Sequence, residues 1–172
     1  MKKAIFAGII LFCCYILQTT LFALFNIGGI RPNLLIIVTA SLGFLGGQKT
    51  GIYTGFFSGL LVDICLRTVY GANALLYMYV GYSCGCLKKV LYPKDIKLPL
   101  LFIAGSDLAY NILFYFLNFL FRGRFEFLYY FRHIILPEVV YTSIMACILY
   151  PFIHFIMMRI EVSEKKGEQT ID

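Results

Sequence analysis

Apolar and polar positions follow one another along this chain in long blocks. Ala4–Phe25, Leu34–Leu45, Gly51–Leu66, Ala72–Leu87, Leu98–Phe121 and Ile134–Met158 carry almost no charge, and short polar stretches divide them. About 20 apolar residues span a bilayer as a helix. The pattern therefore predicts an all-α integral membrane protein, a compact bundle of about six transmembrane helices. The second and third blocks are short, which predicts tilt, local thinning of the bilayer or shielding by neighbouring helices. A five-span arrangement, with the second block dipping in and out, is the other reading. Lys2 and Lys3 open the first block like the n-region of a signal peptide. Its apolar run exceeds a usual h-region and no small-x-small site follows, so it reads as a retained first span.

Composition agrees with the block pattern. Of the 172 residues, 60% are hydrophobic and 14% charged, with a mean hydropathy of +0.83, whereas soluble domains carry about 25% charged residues. No sizeable soluble domain is expected. The net charge of +6 does not point to nucleic acid, because the cations lie between apolar blocks and not along one face. They read as topology signals. With the N-terminus inside, Lys2, Lys3, Lys49, Lys88, Lys89, Lys94, Lys97, Arg159, Lys165 and Lys166 are cytoplasmic. Arg31, Arg67, Arg122, Arg124 and Arg132 lie outside. Both termini are thus expected in the cytoplasm. Residues 1–160 form one transmembrane domain, and residues 161–172 a short, polar, disordered cytoplasmic tail.

Little in the sequence points to catalysis. His133 and His154 fall about 30 Å apart on one helix at 1.5 Å per residue. No serine–histidine–acid set, HExxH or P-loop pattern occurs. Cys13, Cys14, Cys65, Cys84, Cys86 and Cys147 lie in or beside apolar runs and read as small hydrophobes. Cys84 and Cys86 diverge on a helix, which is poor geometry for a metal pair. Neither metal nor cofactor is expected, and an enzyme is disfavoured.

The sharpest local signal is a glycine at every fourth residue, Gly47, Gly51, Gly55 and Gly59, followed one step later by Asp63. Each glycine inside a helix costs about 0.5–1 kcal/mol relative to alanine. Lipid tails are as apolar as leucine, so close backbone approach through small residues drives helix association instead. Gly47 is expected in a turn, and Gly51, Gly55 and Gly59 form a groove. Gly81 and Gly85 repeat the spacing on the next helix. Such a groove either packs this chain's own helices or receives a helix from another protein.

Asp63 is an acid near the outer end of its helix. An intramembrane carboxylate is expensive unless paired. Arg67, four residues on, lies at the spacing for a pair on one helix face, and this local pair is the preferred reading. A polar cluster with Asn73 is the second, and proton or substrate chemistry the third. Asp107, Asn111 and Asn118 form a polar stripe on the fifth helix, read as interhelical hydrogen bonding or as the lining of a solute pocket. Glu138, just after Pro137, is expected one turn into the sixth helix, near Arg132 and His133.

Residues 32–89 taken together resemble the central region of the MreD family of rod-shape-determining membrane proteins. The resemblance rests on Pro32, Asn33 and Leu34, on Gly51, Gly55, Phe56, Gly59, Leu60 and Asp63, on Gly71, Asn73, Ala74, Leu75 and Tyr77, and on Gly81, Tyr82 and Gly85 with Lys88 and Lys89. It implies a non-enzymatic scaffold in the bacterial inner membrane that binds MreC. The wall-elongation synthases and MreB belong to the same complex, membrane lipid surrounds it, and a homodimer is compatible with it. Gly51, Gly55, Phe56, Gly59 and Asp63 are the expected partner surface; Pro32, Asn33, Arg67, Gly71, Asn73, Gly81 and Gly85 are expected to be structural. The family also looks like the S-components of energy-coupling-factor vitamin transporters in its bundle. That likeness sustains a rival function, with Asp63, Asn73, Asp107 and Glu138 lining a pocket.

Overall fold

The computed structural model describes residues 2–24, 30–66, 71–90, 97–119 and 127–168. Arg67, the loop cations Lys94, Arg122 and Arg124, and the side chains of Cys65 and Asn118 lie outside what is described. The elements are α1 (Lys2–Leu24), α2 (Leu34–Gly46), α3 (Gln48–Leu66), α4 (Ala72–Val90), α5 (Lys97–Phe119), a short α6 (Phe127–Tyr130), a π-helical turn (Phe131–Ile135) and α7 (Leu136–Glu168). The last three run on as one rod.

At the centre stands α2. Every side chain from Leu34 to Phe44 is buried, which explains why its sequence is apolar all round. Its 13 residues reach only about 20 Å, and neighbouring helices shield it from lipid. Asn33 caps its start, accepting from the Ile36 amide at 3.4 Å. Gly47, with φ at +91°, ends it, and the next residue opens α3. Thr39 on α2 donates to Ser58 on α3 at 2.8 Å, so the two helices run antiparallel as a hairpin.

Length and hydropathy make Leu98–Leu117 and Leu128–Ile160 candidate membrane spans, whereas the apolar parts of α1 and α2 are shorter. Many large apolar side chains face outward, among them Ile9, Phe12, Leu101, Ile148 and Phe155, as expected of a bundle whose solvent is lipid.

Two expectations need correcting. The helix of α7 continues to Glu168 and so runs beyond residue 160, through part of the stretch expected to be a disordered tail. Glu164, Lys165 and Lys166 are good helix formers, and they extend a helix that is already nucleated. The polar and aromatic stretch Arg122–His133 between the last two apolar blocks reads from the sequence as an outer loop, yet it is helical from Phe127 and widens at Phe131–Ile135. There the Leu136 amide donates to the Phe131 carbonyl. Pro137 lacks an N–H and crowds the preceding turn, and a wider turn just before it relieves that clash.

Candidate functional site

The glycine series works as a zipper between α3 and α4. A β-carbon placed on Gly51 would overlap the Gly81 carbonyl, on Gly55 the Tyr77 carbonyl, and on Gly59 the Ala74 α-carbon. Each step of four forward on α3 meets a step of three or four back on α4, so the hairpin is antiparallel. Gly85 closes the far end, where an added β-carbon would lie 2.6 Å from the Gln48 α-carbon. Gly43 of α2 joins at Gly51 and Gly81, bringing three backbones together. The groove expected to receive a partner's helix is thus filled by this chain's own α4. Gly51, Gly55 and Gly59 are buried, and Gly81 and Gly85 form the opposing face.

Asp63 locks the open end of the zipper. Its Oδ2 accepts from the amides of Gly71 at 3.0 Å and Ala74 at 3.1 Å. Its Oδ1 accepts from the Asn73 amide at 3.3 Å and from Asn73 Nδ2 at 2.9 Å. A carboxylate from α3 therefore caps the N-terminus of α4, satisfying donors that no helix can satisfy internally. Gly71, at φ +91°, turns the chain into this cap. The acid is buried, and the cluster with Asn73 is its described environment; Arg67, the other expected partner, lies outside the described residues.

The lock continues as a chain of hydrogen bonds across the bundle. Tyr110 on α5 donates to Asn73 Oδ1 at 2.8 Å. Its ring packs edge-on against Tyr77, with centroids 5.0 Å apart. Tyr77 donates to Asn33 Oδ1 at 2.6 Å, and the Asn33 amide donates to Thr142 Oγ1 on α7 at 3.2 Å. Four of the motif positions, Asn33, Asp63, Asn73 and Tyr77, thus belong to one network that ties α2, α3, α4, α5 and α7. Pro32, buried beside Asn33, sets the entry to α2.

Asp107 stands one turn before Tyr110 on α5 and is fully buried, with neither carboxyl oxygen in hydrogen-bond geometry to a donor. Thr142 faces it from α7. Glu138 faces it as well, and Glu138 meets Asn111. The stripe of Asp107 and Asn111 is therefore turned toward α7. Arg132 and His133 are exposed, with the His133 ring stacked on Tyr129.

Two of the outer surfaces among the described residues bear on binding. The first is the outward face of the α3–α4 hairpin. There Phe56 is 43% exposed, Leu75 63% and Tyr79 64%, with Met78 and Tyr82 beside them. Of the expected partner residues, Phe56 alone lies on it. The second is a groove of about 720 Å³ between α1 and α3, which no sequence signal singled out. It is made by Ala7 and Gly8, which occupy little space on α1 opposite larger side chains of α3.

No curated protein and no solved structure matches this chain. The family of rod shape-determining protein MreD matches over residues 2–160, nearly the whole length. That span takes in the glycine hairpin, the Asp63 lock and the last two helices. By this match the chain belongs to the MreD family, membrane-associated proteins with a role in determining rod shape.

Proposed function

We propose that this protein is a non-catalytic scaffold of the wall-elongation machinery, and that it binds the transmembrane helix of MreC on the outward face of its α3–α4 hairpin. Family membership supplies the context, in which wall synthases and the MreB filament share the complex. The observation that carries the surface is the exposed patch of Phe56, Leu75, Met78 and Tyr79, set on the most tightly joined pair of helices in the bundle. Glycine contacts hold that pair rigid, so a partner helix meets a preformed surface and loses little to ordering it. Aromatic and methionine side chains are the types that dominate such contacts.

Under this reading the protein sits in the bacterial inner membrane as a multi-pass protein with both termini in the cytoplasm, and the lysine distribution supports that orientation. The rival reading, a vitamin-binding S-component, needs polar side chains free to meet a solute. Asp63 and Asn73 are instead bonded to each other and to the α4 terminus, which favours the structural role.

Co-purification from native membranes tests the proposal. Phe56→Ala combined with Met78→Ala is expected to lower recovery of MreC at least tenfold, the loss of about 1.4 kcal/mol of binding. Ile148→Ala, an exposed site on α7, is expected to leave it unchanged. Wild-type recovery from the double variant would refute the assigned surface.

A further inference from the structure

The groove between α1 and α3 reads as a second binding site. Gly8 and Phe12 contribute one wall, and Thr50, Thr54, Phe57 and Leu61 the other. Early residues of α1 face early residues of α3, so the two helices run parallel and begin at the same side of the bundle. A β-carbon on Gly8 would meet nothing within 4 Å, so the wall is set back there.

The lining is dry. Thr50 donates its hydroxyl to the Gly46 carbonyl at 3.3 Å, and Thr54 donates to the Thr50 carbonyl at 2.8 Å. Both hydroxyls are thus engaged by backbone acceptors, and the groove offers an occupant chiefly apolar contact. From Thr50 to Leu61 it runs about 16 Å at 1.5 Å per residue, roughly half of the ~30 Å hydrocarbon core. A transmembrane helix would need the full depth; one acyl chain of one leaflet needs half.

Charge at the groove's end selects the headgroup. Lys49 is exposed and directly precedes Thr50. It lies one turn before Tyr53, another lining residue, on the same face of α3. Lys3 lies one turn before Ala7 on α1. On the same side, Lys88 donates to the Leu45 carbonyl. A groove that is apolar along its length and basic at one end is complementary to an amphiphile with an anionic head.

We infer that this groove holds one acyl chain of an anionic phospholipid, its phosphate placed against Lys49 and the start of α1. The lipid comes from the leaflet on the lysine-rich side. It wedges between α1 and α3 without touching the hairpin's outward face.

The chain contains no tryptophan, so a single introduced one reports its own surroundings. Full-length Phe12→Trp, on the groove, and Ile148→Trp, on the open lipid face of α7, are compared in phosphatidylcholine vesicles. Increasing amounts of brominated phosphatidylglycerol or brominated phosphatidylcholine serve as quenchers. One lysine near an anionic head corresponds to about a fivefold preference. Phe12→Trp is therefore expected to reach half-quenching at about fivefold less brominated phosphatidylglycerol than brominated phosphatidylcholine. Ile148→Trp should respond to both alike. Adding Lys3→Gln and Lys49→Gln to Phe12→Trp should remove the difference. Equal quenching by the two lipids at Phe12→Trp would reduce the site to ordinary bilayer contact. Shielding of Phe12→Trp from both would mean that a helix or a second copy covers the groove. A preference that survives the lysine changes would remove the basic end as its cause. Each of these three results overturns the inference.

Discussion

Asp63 belongs to α3 by chain position and to α4 by chemistry. Its two oxygens accept four N–H donors from Gly71, Asn73 and Ala74, at the point where a helix most needs acceptors. Replacing it with asparagine keeps the size and removes one acceptor oxygen, turning an amide group against backbone donors. Asp63→Asn is expected to lower the unfolding free energy by about 2 kcal/mol, the usual cost of losing a charge-assisted bond and leaving its partner unsatisfied. Chemical denaturation in detergent measures this, and a change below 0.5 kcal/mol would show that the α4 terminus does not depend on the cap. The need for a partner was legible from an acid in an apolar run. Asn73 is the second reading behind Arg67, which the i, i+4 rule favours and which lies outside the described residues. The described donors lie eight to eleven residues on, across a turn that Gly71 makes feasible.

Among the elements, the α3–α4 hairpin carries the clearest link from sequence to packing. A glycine at every fourth residue announces close backbone approach, and the structure delivers it at Gly51–Gly81 and at Gly55 and Gly59 against α4. The spacing says that something comes close without naming the chain it belongs to, because the sterics are the same for either. Gly47 as a turn was readable from its place at the edge of a series, and the shortness of α2 from its length, but not which of tilt, thinning or shielding accommodates it. The π-turn was not, since its cause lies in Pro137, beyond the segment it distorts. With α4 in the groove, Gly55→Leu or Gly59→Leu drives a side chain into backbone that cannot shift without parting the helices. The expected result is loss of folded protein after extraction, by at least the 1–3 kcal/mol typical of overpacking. Size-exclusion chromatography checks this. A Gly59→Leu protein that elutes and melts like wild type but no longer binds MreC would return the groove to the partner.

For the molecule as a whole, the end of the bundle that holds Asp63 is joined by hydrogen bonds and the α3–α4 seam by backbone contact. Asn33, Tyr77, Tyr110 and Asn73 link helices far apart in sequence. In lipid, where burying leucine gains little, such bonds fix which helices are neighbours. The polar stripe on α5 was legible by helical periodicity. That Asp107 faces Thr142 and Glu138 on α7 depends on how α7 is placed, which no local pattern encodes. Among the faces the fold leaves outward, the hairpin face is proposed for a partner helix and the half-depth groove for a lipid.

Site-specific photocrosslinking in living cells tests the central claim most directly. A photoreactive residue is placed in turn at Phe56, Tyr79 and Ile148, all exposed on the outside of the bundle. Capture of MreC from Phe56 and Tyr79, with none from Ile148, is the predicted result. Capture from Ile148 with none at the hairpin would place the partner on α7 and contradict the account.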